Sequence, residues 1–426
     1  MTRAVTFLHA ADVHLDAPLK GLSRYEAAPA ERIRQAGRGA FDQLIQKCLE
    51  HRVDFLLLAG DLLDGKGQDF NTVLYLAAGF RRLLEADIEV FVVLGNHDAE
   101  HDLLREKLFP ANVTLFPSSR AMTCHRPHLG VAVHGQSHAN KAETRNLAAH
   151  FPPALPDVFN IGLLHTALTG RPGHESYAPC SEEDLLLLGY HYWALGHVHQ
   201  REVVRARDPV ILFPGTLQGR HIRETGVKGA SLVEVDTDGA VRLEHMPLDL
   251  VRWHTLELGV EAYSTPDDCL EGAIRAMEQL VMGDVLLVVR LRLTGCCPWY
   301  GQWMIEEVKW ERELRLRAQN VGGELLWLER VINDSTPLRE QNDRGDDFAL
   351  DPLQLVAELT RELIADEAGM KKLGEVFNPL VSMFRSPLFV GADTLPLTET
   401  EWLRRAIQRA EVLVGEGLRS KNRGRL

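Results

Sequence analysis

The side chains best suited to joint chemistry lie in five short clusters across the first half of the chain: Asp12 with His14, Asp61, Asn96 with His97, a lone His165, and His197 with His199. Carboxylates, an amide oxygen and imidazoles are the donors that divalent transition metals take up, and a carboxylate is able to bridge two ions. Asp61, in the segment GDLLD, is the candidate bridge, with Gly60 letting the chain turn close to the site. Asn96 offers a neutral oxygen. In Asp12-x-His14 one residue intervenes, so both side chains can face one ion, and His197-x-His199 repeats that alternate spacing. Taken singly these patterns are weak, since a DxH pair is common turn chemistry and an isolated histidine is usually a core or surface residue. Their joint occurrence, each behind an apolar run, points to a metal cage.

The elements that must position these residues alternate in the first hundred positions. VTFLHA is followed by a helical pattern around Phe41, Leu44, Ile45 and Cys48, then VDFLLLAG, a helical stretch from Leu74 to Leu84, and IEVFVVLG. Continuous apolar strands separated by amphipathic helices predict a buried, largely parallel sheet. Such strands deliver their last side chains to one edge, which is how ligands scattered along a sequence converge. Further strands are expected at VAVHG, FNIGLLH, HYWALG, VILFPG and ASLVEVD, doubling the sheet into a layered α/β sandwich over residues 1–250. From Trp253 the pattern becomes that of a small α+β domain, 251–335. A polar linker is expected from Ile332 to Asp351, then a helical region, 350–426, with Trp402, Ala406, Ala410 and Leu413 at helical spacing and a basic tail of Arg419, Lys421, Arg423 and Arg425.

Composition narrows the class. A chain of 426 residues, 45% hydrophobic and 25% charged, is globular and long enough for two or three domains. The net charge of −13 argues against a surface that binds nucleic acid throughout, although bound cations, uncounted in that figure, can reverse the sign locally. Six cysteines without CxxC spacing suit a reducing interior. The opening VTFLHAADVHL is broken by His9, Asp12 and His14, so neither a signal peptide nor a membrane span is expected, and the location expected is cytoplasmic. There is no GxSxG elbow and no GxxxxGK[ST] loop, so ATP hydrolysis would have to come from another chain.

The ordered set DxH, GDxxD, GNHD, lone His and GHVH resembles the calcineurin-like metallophosphoesterases, with all five parts present. That resemblance implies one ion held by Asp12, His14, Asp61 and His199 and a second by Asp61, Asn96, His165 and His197. A pair about 3.5 to 4 Å apart clamps the attacking and departing oxygens of a phosphoryl displacement. His97 would stabilise developing charge or protonate the leaving oxygen. Asp64 or Asp98 would orient it, the alternative for each being a turn-stabilising carboxylate. The flanks HAADVHLDAPLKGL, VDFLLLAGDLLD and FPGTLQGRHIRETGVKGASLVEVD look like the SbcD nuclease subunits and their YhaO-type relatives. This second likeness is specific over residues 1–250 and implies a manganese-dependent DNA nuclease with a capping domain and a helical region docking on an SbcC-type ATPase. Homodimers are common in that family.

Arg220, Arg223 and Lys228, in the loop after Gly215, are candidate contacts to backbone phosphates, the alternative being a solvated basic turn. The loop Arg171 to Tyr177 is a candidate groove wall, with Arg171 its cation. Three functions compete. The first is a DNA exonuclease in repair. The second is a phosphoesterase of small nucleotides or cyclic nucleotides, since one cage serves monoesters and diesters alike. The third is a non-catalytic binding subunit of an ATPase complex, against which an acid such as His97 beside the cage speaks.

Overall fold

The computed structural model describes residues 3–15, 17, 29–64, 70–101, 104, 108–169, 177–338, 352–379 and 399–423. The chain divides into two compact units, the first chiefly Ala27–His254 with the N-terminal strand, the second chiefly Thr255–Val281 and Val289 onward.

In the first unit the strands are β1 (Val5–Ala10), β2 (Phe55–Ala59), β3 (Glu89–Val93), β4 (Val113–Leu115), β5 (Met122–Arg126), β6 (Val131–Gln136), β7 (Phe159–His165), β8 (Tyr192–Gly196), β9 (Glu202–Ala206), β10 (Val210–Phe213), β11 (Gly229–Val235) and β12 (Val241–Pro247). They form two six-stranded sheets, in the orders β12-β11-β1-β2-β3-β4 and β5-β6-β7-β8-β10-β9. β1 to β4 are parallel, as are β6, β7, β8 and β10, while β11, β12, β5 and β9 run antiparallel to their neighbours.

The period of two in a strand sorts the core. Phe7, Phe55, Leu57 and Phe91 pack with Ile161, Leu163, Tyr192 and Ala194 between the sheets. The intervening Leu8, Leu56, Leu58 and Val92 pack instead against Phe41, Leu44 and Phe80 of the helices Ala30–His51 and Phe70–Leu84. Trp193 and Leu195 of β8 turn outward onto Phe151 and Leu185. Both faces of both sheets are therefore covered, and the unit is the expected layered α/β sandwich. Short polar strands such as β5 and β9 escaped the sequence reading because their half-exposed residues carry little apolar signal.

The second unit is built on a sheet of β13 (Val251–Gly259), β14 (Leu286–Thr294) and β16 (Leu326–Asn333), with β15 (Cys296–Cys297) pairing β17 (Thr336–Pro337) separately. The helix Pro266–Glu278 starts on a Thr265 cap, whose side chain accepts the Asp268 amide, with Pro266 in the first turn. The expected linker from Ile332 begins too early: Ile332 and Asn333 end a strand, and Ser335 is buried, donating from both its N–H and O–H to Asn333 Oδ1. A polar run reads as linker in sequence, and here it ends one strand and leads into the next, with Asp334 held by Arg292.

Helices follow at Pro352–Ala365, Glu367–Val376 and Thr400–Arg423. In the last, Trp402 meets Phe377 edge-on and Leu403 is buried, whereas Ala410 and Leu413 of the expected stripe are exposed. Arg425 lies outside the described residues. Among the described residues no helix is long and apolar enough to cross a membrane.

Candidate metal centre

The five clusters meet where strands of both sheets end. β1 leads into Asp12 and His14, β2 into Asp61, β3 into Asn96 and His97, β7 ends on His165, and β8 leads into His197 and His199. The backbone turns sharply at these ends: Asp12, His14, Asp61 and His197 have φ of 50°, 43°, 52° and 102°. Residues in this sparsely populated region cost of order 1–3 kcal/mol each and persist where the surroundings over-determine them. Here the turns are tied together, the Asp12 and His14 amides donating to the Gly60 and Asp61 carbonyls at 3.0 Å. Gly60 itself has φ 89°, and a Cβ there would fall 2.5 Å from His165 Nδ1. Gly196 is equally constrained, since a Cβ would lie 1.9 Å from the Ala59 carbonyl oxygen.

Three groups of donor atoms lie within 4.8 Å of one another: Asp12, His14 and His199; Asp12, Asp61 and His165; His14, Asp64 and His97. His165 shows what such a cluster can hold. Its Nδ1–H donates to Ala59 O at 2.8 Å, so a neutral ring turns its Nε2 lone pair toward Asn96 Oδ1 at 3.0 Å and Asp61 Oδ2 at 3.4 Å. His14 Nε2 and His199 Nε2 face each other at 3.2 Å, with Asp12 Oδ1 3.8 Å from the latter and Asp61 Oδ2 3.8 Å from the former. Ring nitrogens, carboxylate oxygens and an amide oxygen converge here. Against burial, the Asp61 and Asp12 charges push the His165 imidazole up to about 9. A donor set of carboxylate, amide oxygen and imidazole fits divalent ions.

His197 joins this group through its ring, 5.2 Å from that of His165 and 5.8 Å from that of Tyr177, while its amide donates to both Asp12 oxygens at 3.2 and 3.1 Å. His97 stands at the mouth with a third of its side chain exposed; its Nδ1 lies 2.8 Å from Asp64 Oδ1, a bond that raises its pKa above the ordinary value. Asp98 points elsewhere. It is fully buried, accepts the amides of Leu62, Leu63 and Gly95 at 3.0–3.1 Å, and burial pushes it up to about 6. Its geometry is that of the turn-stabilising carboxylate, with Asp64 alone of the two on the His97 ring.

The three described basic candidates separate. Arg220 is drawn into the centre, Nη1 3.1 Å from Asp64 Oδ2 and Nη2 2.9 Å from Glu224 Oε1. Lys228 is buried, its Nζ 3.3 Å from Gln200 Oε1 and 3.5 Å from His199 O. Arg223 is exposed. Arg171 and His174 lie outside the described residues.

Sequence reasoning missed three supporting residues. Glu224 Oε1 accepts His199 Nδ1–H at 2.7 Å, Thr216 Oγ1 donates to Asp12 O at 2.7 Å, and His138 Nε2 donates to His165 O at 2.7 Å. Glu224 carried one signal, a lone acid among the basic residues of its loop; the other two had none.

A layered sandwich with Asp, Asn and His donors gathered at its strand ends defines a metallophosphoesterase. The calcineurin-like phosphoesterase family matches residues 5–201, and the middle domain of metallophosphoesterase YhaO matches residues 253–336. The uncharacterized metallophosphoesterase YhaO of Bacillus subtilis is 34% identical over 72% of this chain and 76% of its own length. The DNA double-strand break repair protein Mre11 of Methanopyrus kandleri is 28% identical over 57% of each chain, and that of Saccharolobus solfataricus 23% identical over 63% of this chain and 71% of its own. The chain belongs to the calcineurin-like metallophosphoesterases, a family of hydrolases.

Proposed function

We propose that the protein is a DNA nuclease, an exonuclease working in repair, that hydrolyses phosphodiester bonds with two divalent metal ions. The carrying observation is the convergence of Asp12, His14, Asp61, Asn96, His165, His197 and His199 on one rim. Asp12, His14, Asp61 and His199 would hold one ion, and Asp61, Asn96, His165 and His197 the other. The ions, manganese in this reading, would supply Lewis-acid charge and an acidified water at the phosphorus. His97, protonated and pinned by Asp64, hands its Nε2 proton to the leaving oxygen. The likeness to proteins named for double-strand break repair favours a polymer over a small ester as substrate. By the same reading the helices beyond Pro352 dock an SbcC-like ATPase, the chain pairs as a homodimer, and the protein works in the cytoplasm.

Purified protein incubated with manganese and end-labelled linear duplex DNA should shorten the label, and should do so faster than it cleaves a nitrophenyl phosphodiester. Diester turnover with inert DNA would favour the small-ester alternative. Loss of neither substrate across divalent metals would sink the catalytic reading.

A further inference from the structure

Arg220 looks in sequence like a phosphate contact, but its guanidinium already holds two carboxylates. Nη1 reaches Asp64 at 3.1 Å, Nη2 reaches Glu224 Oε1 at 2.9 Å, and the Arg220 amide donates to Glu224 Oε2 at 2.7 Å. Each carboxylate in turn grips an imidazole on its Nδ1: Glu224 that of His199 at 2.7 Å, Asp64 that of His97 at 2.8 Å. The result is a chain running His199–Glu224–Arg220–Asp64–His97, with both acids facing the same guanidinium. Only 6% of the Glu224 side chain is exposed. With Glu224 accepting on the Nδ1 side, His199 turns its Nε2 toward Asp12 and His14. Carboxylates behind ligand imidazoles fix tautomer and ring orientation in this way, and their loss costs about 10–100-fold in metal affinity.

We propose that Glu224, clamped by Arg220, is the positioning residue that sets His199 for metal binding, and that Arg220 links this clamp to the Asp64–His97 pair. Arg220 is then a strut inside the centre, not a reader of DNA phosphates. A fork suits that task because it serves two carboxylates at once from fixed angles, which a lysine cannot do.

The inference rests on the two-ion reading above, and its test is binding, separate from nuclease activity. Metal-free full-length protein would be titrated calorimetrically with manganese, wild type beside Glu224→Gln and Arg220→Lys, with a circular-dichroism melt of each. Wild type should take up two ions. Glu224→Gln should weaken one binding step by about 10–100-fold and spare the other, and Arg220→Lys should cause a smaller loss at the same step. Both steps intact in Glu224→Gln, with or without a lower melting temperature, would make the residue structural and overturn the proposal alone. If Glu224→Gln does not fold, Arg220→Lys decides the matter: a weakened step supports the clamp, and unchanged manganese binding with weakened DNA binding would restore Arg220 as a phosphate contact. A wild type that takes up no manganese would overturn the two-ion reading and this inference together.

Discussion

Two sets of buried charges, one in each unit, behave differently. In the second unit Arg290 and Glu329 meet as parallel forks, with bonds of 2.7 and 2.6 Å, both side chains at least nine-tenths buried. Two nitrogens of the one are matched to the two oxygens of the other. At the strand ends of the first unit, Asp12 and Asp61 are buried among imidazoles whose lone pairs point at one another and at the carboxylates. A matched buried pair is architecture, whereas a buried excess of lone pairs calls for a ligand. Burial of polar groups is common to both, so it is the balance of donors and acceptors that distinguishes a site.

The sharpest way to break this contrast is at His97. Replacing it by Ala removes no proposed ligand and should lower turnover about 100- to 10,000-fold, with both metals retained by elemental analysis. Full activity in that variant would take His97 out of the mechanism. Next in size is Arg290→Met, which takes the guanidinium away from a buried carboxylate and should cost about 3–5 kcal/mol in a denaturant melt. The double change Arg290→Met with Glu329→Leu should recover most of that loss, as expected of a pair that is architectural. A double variant as unstable as the single one would show the pair to be needed in itself.

The smallest effect is expected from a pair in the loop after β6, Glu143 buried and Arg145 half exposed. Hydrogen bonds from Arg145 pull the Glu143 carboxyl down to about 2. A folded-state pKa below the unfolded one gives stability that is full above the unfolded value, about 4.3, and lost as pH falls through the folded one. Acid melts between those limits should therefore show wild type losing an advantage that Glu143→Gln never had. Superimposable acid limbs would remove the pair from the acid response.

Much of the centre was legible in advance because strand ends betray themselves. An apolar run followed by Asp, Asn or His states both the element and the side chain it presents, and this holds for Asp12, Asp61, Asn96 and His165. Asp64 and Asp98 could not be told apart in sequence, since each sits three or fewer residues from a candidate ligand in a turn. Only the folded chain puts Asp64 on the His97 ring and Asp98 on three backbone amides. Thr216 and His138 were invisible for the same reason, as their roles depend on which atoms approach across elements far apart in the chain.

What the sequence by itself determined, then, is the layered α/β architecture of the first unit, through apolar periodicity, and the chemical type of its donors, through five local motifs. Both are encoded over a few neighbouring residues. The tertiary structure decided which donors share an atom-scale neighbourhood, which carboxylate holds which imidazole, and that Arg220 turns inward between two acids 4 and 156 positions away in the chain. Such choices depend on distances of an ångström or so between elements remote in sequence, and those distances exist only once the sheets have packed.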